Sequence, residues 1–150
     1  MHTSKKIGVA QIGSKHGHAI SVLSTIINNP RVNFIGLYEP DLNRRNELKK
    51  FNNFPFNKIN FIEEEERIYH DDVFAIASEG SNIESLEHTY YALKNGKHVF
   101  YDKPAGEDIK LFTKVIDVAK KNNLHLQLGY MFRYHQGFKK ITELIKAGKI

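Results

Sequence analysis

Few folds accommodate the stretch from Lys6 to Ala19. An apolar run rich in β-branched residues, Ile7 to Ile12, breaks sharply at Gly13. Apolar residues then return at Ile20, Leu23, Ile26 and Ile27, with helical spacing. The pattern is strand, tight glycine turn, helix. That is how a phosphate-binding βαβ unit opens, with the phosphate on the free N–H groups of the helix N-terminus. The ideal turn is Gly-x-Gly-x-x-Gly. Here the three positions hold Gly13, Lys15 and His18, with a further glycine at Gly17. Only the first glycine is in place. On these residues alone the turn is either a phosphate cradle or an ordinary strand-to-helix connection.

The rest of the chain repeats the alternation. Asn28-Asn29-Pro30 stops the first helix. Arg31 to Tyr38 reads as a strand and ends at Glu39-Pro40-Asp41, where Asp41 is placed to cap a helix through Leu42, Leu48 and Phe51. A short third strand is expected near Lys58 to Phe61. The run Glu63 to Arg67 reads as an exposed helical turn, since consecutive carboxylates point all round a helix. Val73 to Ala77 makes a fourth strand, followed by the loop Ser78-Glu79-Gly80-Ser81. A helix from about Ile83 to Leu93 stops at Asn95-Gly96. Lys97 to Tyr101 is a fifth strand and Asp102-Lys103-Pro104-Ala105-Gly106 its turn. An amphipathic helix follows from about Asp108 to Lys121. A sixth strand spans Leu124 to Leu128, and a last helix spans about Gly137 to Lys146. Such alternation implies an α/β fold: one domain of three layers, a doubly wound parallel sheet covered by helices on both faces.

Composition narrows the setting. The chain has 150 residues and no cysteine, so disulfides and thiolate metal sites are excluded. No apolar run approaches the roughly 18 residues of a membrane span. Residues Met1 to Lys6 lack the apolar core of a signal peptide, so a cytoplasmic protein with no membrane association is expected. The formal charge of +5 is spread over the predicted helices. It reads as solvated helix faces, and no nucleic-acid partner is expected.

Ligands of parallel sheets bind beyond the C-terminal ends of the strands. That rule selects the loops at Gly13 to His18, Glu39, Ser78 to Ser81, Asp102 to Gly106 and Tyr130 to Tyr134. Glu39 ends the second strand. It either closes the strand or accepts hydrogen bonds from an adenosine ribose, in which case it favours NAD over NADP. Arg44 and Arg45 stand close enough in sequence to bind a 2′-phosphate instead. Lys103 is held by Pro104 at the end of the fifth strand. It is either part of a turn or a cleft lysine that bonds a substrate oxygen. His16 and His18 stand two apart, but no third ligand is close in sequence, so no metal is expected. His88 and His98 read as packing or surface histidines. Tyr130, Phe132 and Tyr134 flank Arg133 and suit a small-molecule pocket or a contact with a second domain.

Taken together, the loops resemble the N-terminal half of the glucose-fructose oxidoreductase / inositol dehydrogenase / rhizopine-catabolism (Gfo/Idh/MocA) family. The resemblance covers nearly the whole chain. Its most specific parts are Leu93 to Pro104, similar to the family's A-G-K-H-V-x-x-E-K-P segment with Asp102 in place of glutamate, and Gly129 to Tyr134, similar to G-Y-x-x-R-Y/F. Tyr38-Glu39-Pro40-Asp41 resembles its acid-Pro-Asp turn. Two segments depart from the family: the phosphate turn lacks its second and third glycines, and Ser78-Glu79 replaces a loop that usually reads Thr-Pro or Ser-Thr.

The resemblance implies that residues 1–150 form an NAD(P)-binding Rossmann domain of an oxidoreductase. NAD is the expected cofactor, and NADP fits less well. It implies hydride transfer with a secondary alcohol or ketone of a sugar or cyclitol. Gly13, Ser14, Lys15, His16, Glu39, Ser78, Glu79, Asp102 and Lys103 would bind cofactor. Lys103 would be catalytic, and Tyr130 and Arg133 would touch substrate. In the family a second, open β-sheet domain carries most substrate contacts and the oligomer interface. That domain would begin about where Ala147 to Ile150 stand. The chain alone is therefore expected to be inactive and to self-associate as a homo-oligomer. A nucleotide-binding or regulatory module without turnover is the alternative.

Overall fold

The computed structural model describes residues 5–150; the signal-peptide reading of residues 1–4 lies outside them. Six strands form one parallel sheet: β1 (Ile7–Ile12), β2 (Val32–Tyr38), β3 (Phe61–Ile62), β4 (Ala75–Ser78), β5 (His98–Tyr101) and β6 (Leu126–Leu128). Their spatial order is β3-β2-β1-β4-β5-β6. From β1 the chain first winds towards β3, then crosses back and winds towards β6. Because β-α-β crossovers are right-handed, this reversal puts the two sets of helices on opposite faces. The connections to β2 and β3 run through α1 (Ala19–Asn28) and α2 (Leu42–Leu48). Those to β5 and β6 run through α3 (Asn82–Lys94) and α4 (Ile109–Lys121), which pack against each other. α5 (Gln136–Lys146) follows β6.

Strand residues alternate between the two helical layers. Ala10, Ile12, Leu37, Ile76, Val99 and Tyr101 are almost fully buried. Leu23 from one face and Leu86, Leu93 and Val115 from the other complete the packing. Local signals set the helix ends. Asp41 accepts hydrogen bonds from the N–H groups of Asn43 and Arg44, and Asp108 from those of Lys110 and Leu111. Ser81 and Glu84 form a reciprocal capping box at the start of α3.

Several expectations shift in detail: β4 begins two residues later than expected and takes in Ser78, and β6 begins two residues later, at Leu126. The third strand lies at Phe61–Ile62, because Phe56–Lys58 forms a turn of 3-10 helix and only Leu37 and Tyr38 are left for it to pair with. The acidic run divides. Glu65–Tyr69 is a short 3-10 helix, while Glu63 ties the loop to α2 through Arg45 and Lys49. No described helix is long and apolar enough to cross a membrane.

Candidate cofactor site

The winding reverses between β1 and β4, and the crevice at their C-terminal ends is where a doubly wound sheet binds ligands. Gly13 makes the turn out of β1 with φ at +78°, a left-handed conformation. A Cβ there would lie 2.6 Å from the Cα and N of Gly80, so only glycine lets the loops after β1 and β4 meet. Their contact is fastened by the His16 N–H, which donates to the Glu79 carbonyl at 3.0 Å. α1 then begins with no side-chain cap at His18. Its first N–H groups keep the anion-binding character of a helix N-terminus. Gly17 has open space where a side chain would stand. A dinucleotide phosphate fits this loop, although two of its glycines are missing.

The expected site residues divide by what holds them. Ser14 is 6 % exposed and donates to Glu39 Oε2 at 2.5 Å, while Arg44 Nε donates to Ser14 Oγ at 3.3 Å. Glu39, only 1 % exposed, also accepts the Asp41 N–H at 3.0 Å. Its carboxylate therefore lies at the end of β2 but beneath Ser14. Arg45, the other arginine near that strand end, is buried; its Nε donates to the Glu39 carbonyl and its Nη1 to Glu63. Lys15 crosses the loop surface. Its ammonium is 3.1 Å from Asp41 Oδ2 and 2.8 Å from Glu84 Oε1. Burial pushes the Glu84 carboxyl up, but Lys15 and the N–H and hydroxyl of Ser81 outweigh it and hold it down at about 2.

Ser78 and Glu79 lie deeper than a cofactor contact requires. Both are fully buried, and the Ser78 hydroxyl donates to the Ser85 carbonyl at 3.0 Å. Ser78 thus supports α3 from below the loop. Glu79 has no hydrogen-bond partner on either carboxyl oxygen. Burial, and then the charge of Asp102, pushes its carboxyl up to about 8. Asp102 faces inward: Oδ2 is 2.7 Å from His18 Nδ1, and Oδ1 accepts the N–H of Lys103 at 2.7 Å. Lys103 is exposed and, among the described residues, makes no ion pair, as expected of neighbours on an extended chain. Its carbonyl lies 3.0 Å from His16 Nε2. Lys15, His16, His18, Ser81, Lys103 and Pro104 line one open groove. A second, apolar groove runs between Ile116, Ala119, Leu124 and Leu126, away from these loops.

Tyr130 and Arg133 are not brought to the groove. They sit on an exposed turn after β6, with Met131–Tyr134 in 3-10 conformation. Phe132 and Phe138 are at least half exposed, as is Ile145 of α5. The two histidines set aside in the sequence are local. His88 packs beside Gly80, where burial pushes its imidazole down; His98 Nδ1 accepts the His125 N–H. Sequence reasoning missed the partners of Lys15, although Ser81-x-x-Glu84 is a readable capping box. It also missed that Asp102, arriving from another strand, stands 3.3 Å from His16 Nδ1 and 2.7 Å from His18 Nδ1.

Comparison with known proteins agrees with this fold. An inositol 2-dehydrogenase from Saccharopolyspora erythraea is 30% identical over 80 residues, covering 53% of this chain and 24% of that protein. The apo scyllo-inositol dehydrogenase of Lactobacillus casei superposes with a TM-score of 0.79 at 23% identity, over 99% of this chain and 44% of that one. A 3-ketoreductase from Actinomadura kijaniata, solved with TDP-benzene and NADP, gives 0.77 at 22% identity, over 97% and 45%. The chain thus spans less than half the length of each of these relatives. Residues 7–130 match the family described as "Oxidoreductase family, NAD-binding Rossmann fold", and the chain therefore belongs to the Gfo/Idh/MocA oxidoreductases.

Proposed function

We propose that the chain is the cofactor-binding half of a dehydrogenase that prefers NAD and acts on a secondary alcohol or ketone of a sugar or cyclitol. The observation that carries this reading is the convergence of Gly13–His16, Glu39 and Lys103 at the C-terminal edge of a parallel sheet, within a family match spanning residues 7–130. The inositol dehydrogenases among the relatives support the substrate class.

Each residue has a distinct task. The uncapped start of α1 takes the diphosphate. Glu39 accepts the ribose hydroxyls once Ser14 rotates away, an exchange of one hydrogen bond for another. The same carboxylate repels a 2′-phosphate, which favours NAD. When bound, a nicotinamide cofactor would supply or accept the hydride. Lys103 donates a hydrogen bond to the reacting oxygen. That bond strengthens as the oxygen gains charge, which is the condition for catalysis as opposed to binding alone. Tyr130 and Arg133 reach substrate only from beside the groove.

Calorimetry of the chain with NADH and NADPH tests the reading. Binding of NADH at least tenfold tighter than NADPH is expected. Equal affinity, or tighter NADPH, overturns the role given to Glu39.

A further inference from the structure

We propose that His16, His18, Asp102 and Glu79 form a binding site for a divalent transition-metal ion of the zinc class. The proposal does not depend on the cofactor reading. It starts from a juxtaposition that the fold creates. His16 and His18 leave β1, Asp102 leaves β5, and the ligand atoms of these three residues all lie within 4.8 Å of one another. Asp102 and Glu79 are buried, whereas the side chain of His18 is 36% exposed, so an ion has a way in.

The ring of His16 is already oriented. Its Nε2 lies 3.0 Å from the Lys103 carbonyl, which makes Nε2 the protonated nitrogen and leaves the Nδ1 lone pair facing inward. A histidine that ligates a metal through one nitrogen normally donates the other to a carbonyl or carboxylate in this way. Nδ1 lies 3.3 Å from Asp102 Oδ2 and 3.4 Å from Glu79 Oε2. Tetrahedral zinc with bonds of about 2.0–2.1 Å separates its ligand atoms by about 3.4 Å. Two edges of the coordination polyhedron are therefore in place. Asp102 is oriented too, because Oδ1 accepts the Lys103 N–H and leaves Oδ2 for the cluster.

Glu79 provides an independent observation. Its carboxyl is fully buried, approaches His16, and has no hydrogen-bond partner on either oxygen. Buried polar groups are almost always partnered, and an ion beside His16 supplies what this one lacks. Two contacts must give way: the 2.7 Å bond between His18 and Asp102, and the 3.2 Å bond from the His18 N–H to His16 Nδ1. Both involve His18, the most exposed member. Two imidazoles with carboxylates, in a chain without cysteine, suit zinc or cobalt(II) better than calcium or a soft copper(I) ion.

The test uses the untagged, metal-free chain at neutral pH, with zinc chloride titrated by calorimetry and cobalt(II) followed by its visible absorption. One zinc per chain is expected, together with cobalt d–d bands. His18→Ala and Glu79→Gln, each checked for native circular dichroism, should weaken zinc by at least tenfold and remove the cobalt bands. His135→Ala should change neither. Absence of stoichiometric binding by the folded chain overturns the site, as does binding that survives both His18→Ala and Glu79→Gln. No dinucleotide is present, so the outcome is independent of cofactor binding.

Discussion

Ser14→Ala separates the stability of the site from its use. The Ser14 hydroxyl donates to Glu39 Oε2 at 2.5 Å, in a place where Glu39 is 1 % exposed. Among the described residues, the only other bond to that carboxylate is from the Asp41 N–H, on Oε1. Removing the hydroxyl leaves a buried, charged oxygen without a partner. A hydrogen bond to a charged group contributes about 1.5–3 kcal/mol, so the variant should lose about 2 kcal/mol of folding stability. With a typical urea m-value for a small domain, the midpoint falls by roughly 1 M. If a ribose hydroxyl replaces Ser14 on Glu39, the loss is confined to the free protein. By the thermodynamic cycle, NADH should then bind the variant more tightly, by about tenfold after partial relaxation. Urea denaturation and calorimetry on the same preparation read both quantities. A variant as stable as the wild type refutes the structural half of the reasoning. A variant that loses stability and NADH affinity together refutes the exchange at Glu39.

Three other outcomes are expected. Glu84 is held at about 2, below the usual carboxylate range, so the stability it contributes is present above its unfolded value of about 4.3 and is lost as pH falls towards 2. Lys15→Met removes part of this. Both side chains are about a third exposed, so the variant should be weaker by less than about 1 kcal/mol at pH 7, and in urea titrations the gap should narrow below the unfolded value and close only as pH approaches about 2. In a protein that carries this chain together with a substrate domain, Lys103→Met should lower kcat by about 100-fold, measured under NADH saturation, with NADH affinity little changed. The exposed face of Phe132, Phe138, Ile141 and Ile145 should drive self-association, reduced by Phe132→Ser; light scattering of a monomer at high concentration would contradict it.

The fold was legible because its signals are local and repeated. Ile7 to Ile12 followed by Gly13 and a helical stripe identifies β1 and α1. The same alternation, together with the right-handed crossover rule, implies the parallel sheet. β3 was placed early because two residues carry little periodicity. The site was legible only by position. The end of β2 pointed to Glu39, but not to its cover by Ser14, a partner 25 residues earlier. His16 and His18 lacked a third ligand in sequence because Asp102 is 84 residues from His18. Tyr130 and Arg133 resembled a family segment, yet neither lines the groove. Contacts between strand ends depend on tertiary geometry that no local pattern encodes.

Amide chemical-shift mapping of the chain titrated with NADH asks directly where a dinucleotide binds. The expected shifts fall on Gly13 to His18, on Tyr38 and Glu39 at the end of β2, on Gly80 to Asn82 and on Asp102 and Lys103, and they saturate at one NADH per chain. No saturable shifts, or shifts centred on the apolar groove of Ile116, Ala119 and Leu124, would contradict a cofactor site at the C-terminal edge of the sheet.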